Sequence, residues 1–493
     1  MRASGGCGSV GVQSFLRGEF AAYCSHVKQM LKSLASRVSF LAPGALIFCL
    51  GQETSRRRRR KGKFLMPTAP TIVPRPDRAP VLAGAALRVL PLGCIVCGAQ
   101  YDAAPLAICE RCLGPLEPVY PPTREVPDRA TIAGRDRSLW RYHEFLPLEG
   151  APRYSFDTGL TPLFEVPALA RKLGVARAWL KNDSVSHPTL SFKDRVVAVA
   201  INAAHALRLE TIACASTGNL ANAVAAHAAR AGLPAWVFIP HDLEPAKVVA
   251  SAIYGARVVR VRGTYDEVNR LCTQAAERFK WGIVNVNLRS YYGEGSKTMA
   301  FEIAEQLGWR LPTAVIAPMA GGSLVTKLRK GFGEFLEFGL VSGRTPRLYG
   351  TQAAGCAPIV RLVQENTEVL QPVIPNTIAR SLAIGSPADG IFASRAIHET
   401  GGWAAAVSDE ELSAGIRILA ETTGVFAETA GGVTIAGALA LAASGHLRRD
   451  DEVVLCITGN GLKTIDAVPD VLRDLPTISP KLRELSALVE QSV

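Results

Sequence analysis

A lysine in the stretch "HPTLSFKDR", residues 187–195, is the first residue whose type and setting could do chemistry. Lys193 follows a proline-led turn, hydroxyl residues and an aromatic, and Asp194 and Arg195 come directly after it. Burial and nearby cations can tune such an amine so that it attacks a carbonyl and moves protons. Three further junctions carry small residues where a short apolar run gives way to a helical pattern. In "ASTGN" (215–219), Gly218 allows a tight turn and Asn219 offers an amide at a helix start. In "MAGGSL" (319–324), the backbone N–H groups of Gly321, Gly322, Ser323 and Leu324 can cradle an anion at a positive helix end. In "CITGNGLK" (456–463), Thr458 ends a buried run. Each junction alone is equally well explained as an ordinary glycine-rich turn of an α/β protein. Together with Lys193 they supply what pyridoxal phosphate needs: a Schiff-base lysine, a phosphate cup, an amide for the ring oxygen (Asn219) and a partner for the ring nitrogen (Thr458).

Four of the eleven cysteines form a second constellation. "CIVC" (Cys94, Cys97) and "CERC" (Cys109, Cys112) are two CxxC pairs, each presenting two thiolates from a tight turn. Tetrahedral zinc takes four such ligands, so the pairs read as one structural zinc in a ribbon-like module; a redox pair is the alternative. The other cysteines are scattered singly and read as small apolar residues.

Elements able to position these residues are visible in the body of the chain. "TIACAS" (211–216), "PAWVFIP" (234–240) and "ARVVRVRG" (256–263) are strand-like runs separated by helical stretches such as the Ala-rich segment ending at Gly232. A second series begins at "TAVIAPMAGG" (313–322), with a helix from Leu324 to Phe338, and continues through "RLYGTQA" (347–353) to "DEVVLCITG" (451–459). This rhythm predicts an α/β protein with two doubly wound parallel-sheet lobes, a cofactor cleft between them and a small N-terminal zinc-ribbon-like module. The expected divisions are a basic, disordered extension over 1–85, the cysteine module over 86–122, a first lobe carrying Lys193 over 123–310, a second lobe with the anion loop over 311–480, and a tail over 481–493.

Composition narrows the function classes. With 493 residues, 48% of them hydrophobic and 20% charged, the chain can bury a large core. Its net charge is +12, yet residues 1–76 hold thirteen Lys or Arg against two acids, which leaves the body almost neutral. A nucleic-acid partner is therefore not expected from the body, although the cysteine module with "SRRRRRKGK" (55–63) would form the basis of such a reading. The apolar run at 38–51 is short and broken by Pro43, so no membrane span is expected. The basic segment reads as a solvated tail, an extension ahead of a start at Met66, or an organelle transit peptide. The expected location of the protein is the cytoplasm.

The motifs "TPL" (161–163), "SFKDR", "STGN", "NLRSYYGEGSKTMAFE" (287–302), "IARSLAIGSPADG" (378–390), "FAETAGGVT" (426–434) and "ITGNGLKT" resemble those of threonine synthases, of the tryptophan-synthase-β-like fold. The resemblance spans about residues 88–475 and includes the cysteine ribbon. It implies a pyridoxal-phosphate-dependent carbon–oxygen lyase that converts O-phospho-L-homoserine and water to threonine and phosphate, usually as a homodimer. It further implies Lys193 as the catalytic amine, Arg289 and Lys297 as contacts for the substrate phosphate, and Thr189 and Ser191 as contacts for the substrate carboxylate. Asp194 and Arg195 are expected to lock the lysine loop. His187 and Leu190 depart from the motif usual in the wider fold, where Asn and Gly stand. Serine/threonine dehydration, β-replacement and cysteate synthesis are the rival reactions on the same fold.

Overall fold

Residues 87–490 are described by a computed structural model, apart from positions 123, 217, 242, 244, 264, 473 and 474. The basic extension expected over 1–85 lies outside the described residues. Two sheets built from buried β-branched and alanine-rich runs organise the rest. In the smaller sheet the strand order is Arg257–Val261, Ala235–Pro240, Ile212–Ala215, Gly282–Ile283, and every pair is parallel. In the larger, six-stranded sheet the order is Ala404–Val407, Arg347–Ala353, Ala314–Pro318, Glu452–Ile457, Arg177–Asn182, Leu163–Glu165. Only its last pair is antiparallel. The central strands of such sheets are covered on both faces, which is why their sequences run apolar without alternation, whereas the edge strands Arg257–Val261 and Leu163–Glu165 are only partly covered.

The larger sheet draws on both parts of the chain. Arg177–Asn182 and Leu163–Glu165 fall within 123–310, the range expected to build the first lobe, yet they pair into the sheet formed by the later strands. Glu452–Ile457 makes the connection, lying between Ala314–Pro318 and Arg177–Asn182. The helix Thr429–Ala443 is apolar around almost its whole circumference and accordingly buried, with the helix Asp409–Thr423 packed outside it. That outer helix begins with a capping box between Ser408 and Glu411, which satisfies two amide groups of its first turn.

Ahead of both sheets, Gln100–Tyr101, Leu92–Cys94 and Leu116–Pro118 form a three-stranded antiparallel ribbon. Among the described residues no helix is long and apolar enough to cross a membrane.

Candidate active site

Lys193 is the first residue of the helix Lys193–Ala206, and its immediate neighbours are fixed by charge. The Asp194 carboxylate accepts hydrogen bonds from the Thr189 amide at 3.0 Å and the Thr189 hydroxyl at 2.7 Å, tying the loop before the lysine to the helix after it. Arg195 is fully buried and forks onto Asp183, with Nε–Oδ2 2.6 Å and a second N–H bond of 2.8 Å. Its other face meets Glu302, which also takes Lys181 at 2.6 Å. Burial pushes the Glu302 carboxyl up, but Arg195 and Lys181 outweigh it and hold the pKa at about 2. Asp194 thus ties down the lysine loop, whereas the Arg195 side chain anchors the helix start to Asp183 and Glu302 and does not bind the loop itself.

A cleft of about 760 Å³ opens where several parallel strands end. Lys193, Asn219, Gly321, Gly322, Ser323, Leu324 and Thr458 all line it, so the structure brings every expected cofactor contact to one place. Gly322 caps the fifteen-residue helix Ser323–Glu337 at φ +93°, in the left-handed region. A Cβ there would also lie 2.9 Å from the Asp389 carbonyl oxygen, so glycine alone fits this turn. Its helix presents free amide groups to the cleft, as a phosphate monoester requires. Thr458 follows the strand Glu452–Ile457 directly, and Asn219 opens the helix Asn219–Ala231. This donor set fits pyridoxal phosphate: an amine, an amide cup, a side-chain amide and a hydroxyl.

Asn219 has firm partners. Its Nδ2 donates to both Glu428 oxygens at 2.9 and 2.7 Å, and its Oδ1 accepts from Lys463 Nζ at 2.8 Å. A carboxylate on one side and an ammonium on the other leave one sensible orientation of the amide. Lys463 also donates to the Thr189 carbonyl, so one side chain links the lysine loop, the Asn219 turn and the "ITGNGLK" segment. Burial draws the Lys463 pKa down against the opposing pull of Glu428 and Asp194. Sequence reading passed over Lys463, although it ends a motif already singled out for Thr458.

The residues expected at the substrate divide. Arg289 lines the cleft and is ion-paired there with Asp389, itself at the cleft wall. Lys297 does not line it. Its side chain is fully buried, paired with Glu294 at 2.7 Å and Glu334 at 2.8 Å and hydrogen-bonded to the Tyr120 hydroxyl. The expectation of a phosphate contact at Lys297 is corrected accordingly: two carboxylates already neutralise this amine inside the protein. Thr189 and Ser191 are likewise buried and off the lining. Thr189 is committed to Asp194, whereas the Ser191 hydroxyl is buried with no hydrogen-bond partner among the described residues.

In the ribbon, the Sγ atoms of Cys94, Cys97, Cys109 and Cys112 all lie within 4.8 Å of one another. Four thiolates about 2.3 Å from one zinc stand about 3.8 Å apart, and Cys97 and Cys109 are separated by 3.6 Å. The Val96 and Cys97 amides point at Cys94 Sγ from 3.4 and 3.5 Å, as they do around a charged thiolate. The cluster fits one structural zinc.

Comparison with known proteins agrees with this geometry. Residues 154–459 match the family of pyridoxal-phosphate dependent enzymes. The threonine synthase of Methanocaldococcus jannaschii is 35% identical over 380 residues, covering 76% of this chain and 93% of that protein. The threonine synthase of Halalkalibacterium halodurans is 38% identical over 349 residues, covering 68% and 95%. Among solved structures, maize serine racemase superposes with a TM-score of 0.55 at 18% identity over 64% of this chain and 92% of its own. A processed threonine deaminase from Solanum lycopersicum gives 0.54 at 21% identity over 64% and 84%, a likeness of fold. The chain belongs to the threonine synthase family of pyridoxal-phosphate-dependent enzymes.

Proposed function

We propose that the chain converts O-phospho-L-homoserine and water to L-threonine and phosphate, acting in the cytoplasm as a homodimer on this small-molecule substrate. Pyridoxal phosphate, when bound, supplies the electron-withdrawing ring that makes protons on the substrate carbons acidic. The remaining work falls to the chain. Lys193 would be the cofactor's attachment point and, when its amine is free, the base that moves protons at the substrate α and β carbons. The amide end of helix Ser323–Glu337 holds the cofactor phosphate, and Thr458 and Asn219 orient the ring.

One observation supports a phosphorylated substrate above serine or threonine: a second anion-binding group, Arg289, shares the cleft with Lys193 and the cofactor cup. A leaving phosphate would take the guanidinium from Asp389. A charge-assisted contact contributes roughly 1.5–3 kcal/mol, or about one to two orders of magnitude in rate. Arg289→Ala is therefore expected to lower kcat/KM for O-phosphohomoserine at least about tenfold, with phosphate release and threonine formation as the assay. Deamination of serine or threonine, which carry no phosphate, should be spared. Equal losses on both kinds of substrate would assign Arg289 to the fold or the cofactor and remove the support for this substrate.

A further inference from the structure

The cleft holds one more polar group in direct contact with the reacting amine. Lys193 Nζ donates to the Tyr292 hydroxyl at 2.9 Å, and the same nitrogen lies 5.6 Å from the Tyr292 ring centroid and 4.6 Å from that of Phe192. Tyr292 lines the cleft and is 7% exposed. It stands three residues after Arg289 on the helix Arg289–Glu294, so the two side chains leave the helix on neighbouring positions of one face.

Everything around Tyr292 is tied down. Ser290 donates to the Leu106 carbonyl at 3.0 Å and Tyr291 to the Leu90 carbonyl at 3.1 Å, both in the cysteine-bearing N-terminal part. Glu294 is fully buried between Lys297 and Lys327. One residue further on, Gly295 lies so close to the lysine helix that a Cβ would stand 2.6 Å from the Arg195 carbonyl oxygen. The helix carrying Tyr292 and the helix carrying Lys193 are thus in backbone contact, and the hydroxyl is held at a fixed place beside the amine.

We propose that Tyr292 is the positioning residue for the free Lys193 amine. An amine on four methylene groups, once free, can swing among many rotamers. Accepting an N–H bond, the Tyr292 oxygen holds the nitrogen in the cleft and leaves its lone pair directed away from the phenol. The proton that leaves the substrate carbon goes to that lone pair; the phenol neither gains nor loses one. The ammonium so formed keeps its bond to Tyr292, now charge-assisted and stronger, so the contact favours the transferred state.

Tyr292→Phe tests this while keeping the ring. The inference rests on Lys193 as attachment point and not on the identity of the substrate. In the cofactor-free variant, the rate at which added pyridoxal phosphate attaches to Lys193, followed by absorbance, should fall about tenfold, as expected when the attacking amine is no longer held in place by a hydrogen bond. Binding of 4-deoxypyridoxine phosphate, which has no aldehyde, should be unchanged. In the loaded enzyme kcat should fall by a similar factor with KM within about twofold, and exchange of the substrate α-proton with solvent should slow in parallel. Tyr292→His, which keeps a polar ring atom, should recover part of each loss. Attachment rate and kcat both within about twofold of the parent would overturn the proposal. So would a matching loss of 4-deoxypyridoxine phosphate binding, which would make Tyr292 a wall of the cofactor pocket. A parent protein that attaches no cofactor at Lys193 would overturn the assignment of that lysine first, and this inference with it.

Discussion

Replacing Glu302 by glutamine should show how much of the lysine's placement depends on buried charge. In the parent, Glu302, Asp183, Arg195 and Lys181 are all fully buried, two anions against two cations. Glu302 receives both Arg195 nitrogens, Lys181 Nζ at 2.6 Å, and the Leu160 and Thr161 amides at 2.6 and 3.2 Å. Glutamine keeps the size and one acceptor oxygen but leaves the cluster with an uncompensated positive charge. Removing one partner of a buried pair costs about 3–5 kcal/mol. An unfolding entropy of roughly 2 cal/mol/K per residue over a chain of this size converts that into a fall of about 3–5 °C in the thermal midpoint. Differential scanning fluorimetry of the cofactor-free protein reads this directly. Adding Lys181→Met restores neutrality and should return part of the loss, so the double variant should be less damaged than the sum of the single ones. A midpoint within about 1 °C of the parent for Glu302→Gln would refute the reasoning, since the cluster would then tolerate an unpaired charge that a dry interior cannot.

The same carboxylate sets an acid limb. Its folded pKa of about 2 lies below the ordinary value of 4.5, so its contribution is complete above pH 4.5 and lost as pH falls toward 2; the shift corresponds to about 3 kcal/mol, to be read from urea midpoints across that window. At Leu190 the backbone is left-handed at φ +60°, which is costly for a side chain bearing a Cβ. Leu190→Gly should therefore change stability by less than about 1 kcal/mol and in the stabilising direction, whereas Gly322→Ala should be strongly destabilising. In the ribbon, Cys94→Ser should reduce bound zinc from about one per chain to nearly none and lower the thermal midpoint more than it lowers kcat. Metal analysis that finds no zinc in parent protein prepared without chelator would remove the basis for that expectation.

Local signals were enough for the strands and turns. "RLYGTQA", "PAWVFIP" and the glycines before Ser323 carry their structure in their own composition, and the observed strands Arg347–Ala353 and Ala235–Pro240 follow them closely. Sheet membership was not local. Arg177–Asn182 is placed by its pairing with Glu452–Ile457 near the other end of the chain, and no pattern within either segment states that partner. Leu190 is intermediate: the wider fold's glycine at this position is explained by the left-handed backbone that leucine here also adopts.

The lysines show why the cleft was legible and its surroundings less so. Lys181, Lys193 and Lys297 all lie in or beside apolar segments, and nothing in their immediate neighbours separates structural amines from reactive ones. What separates them is whether a carboxylate meets the amine. Lys181 meets Glu302, 121 residues away, and Lys297 meets Glu334, 37 residues away, and each amine is thereby committed to a buried ion pair and kept out of reach. Among the described residues Lys193 meets no carboxylate; its hydrogen bond goes to the Tyr292 phenol, and its nitrogen stays in the cleft. An amine that must give up and regain a proton cannot sit against a carboxylate that stabilises only its charged form. The pairing that disqualifies Lys297 as a phosphate contact and the absence of such a pairing at Lys193 are one physical distinction. It arises from tertiary contacts that link helix starts to distant acids, so a reading of short motifs finds the reactive lysine by its company of glycines and hydroxyls but cannot exclude a buried neighbour of the same type.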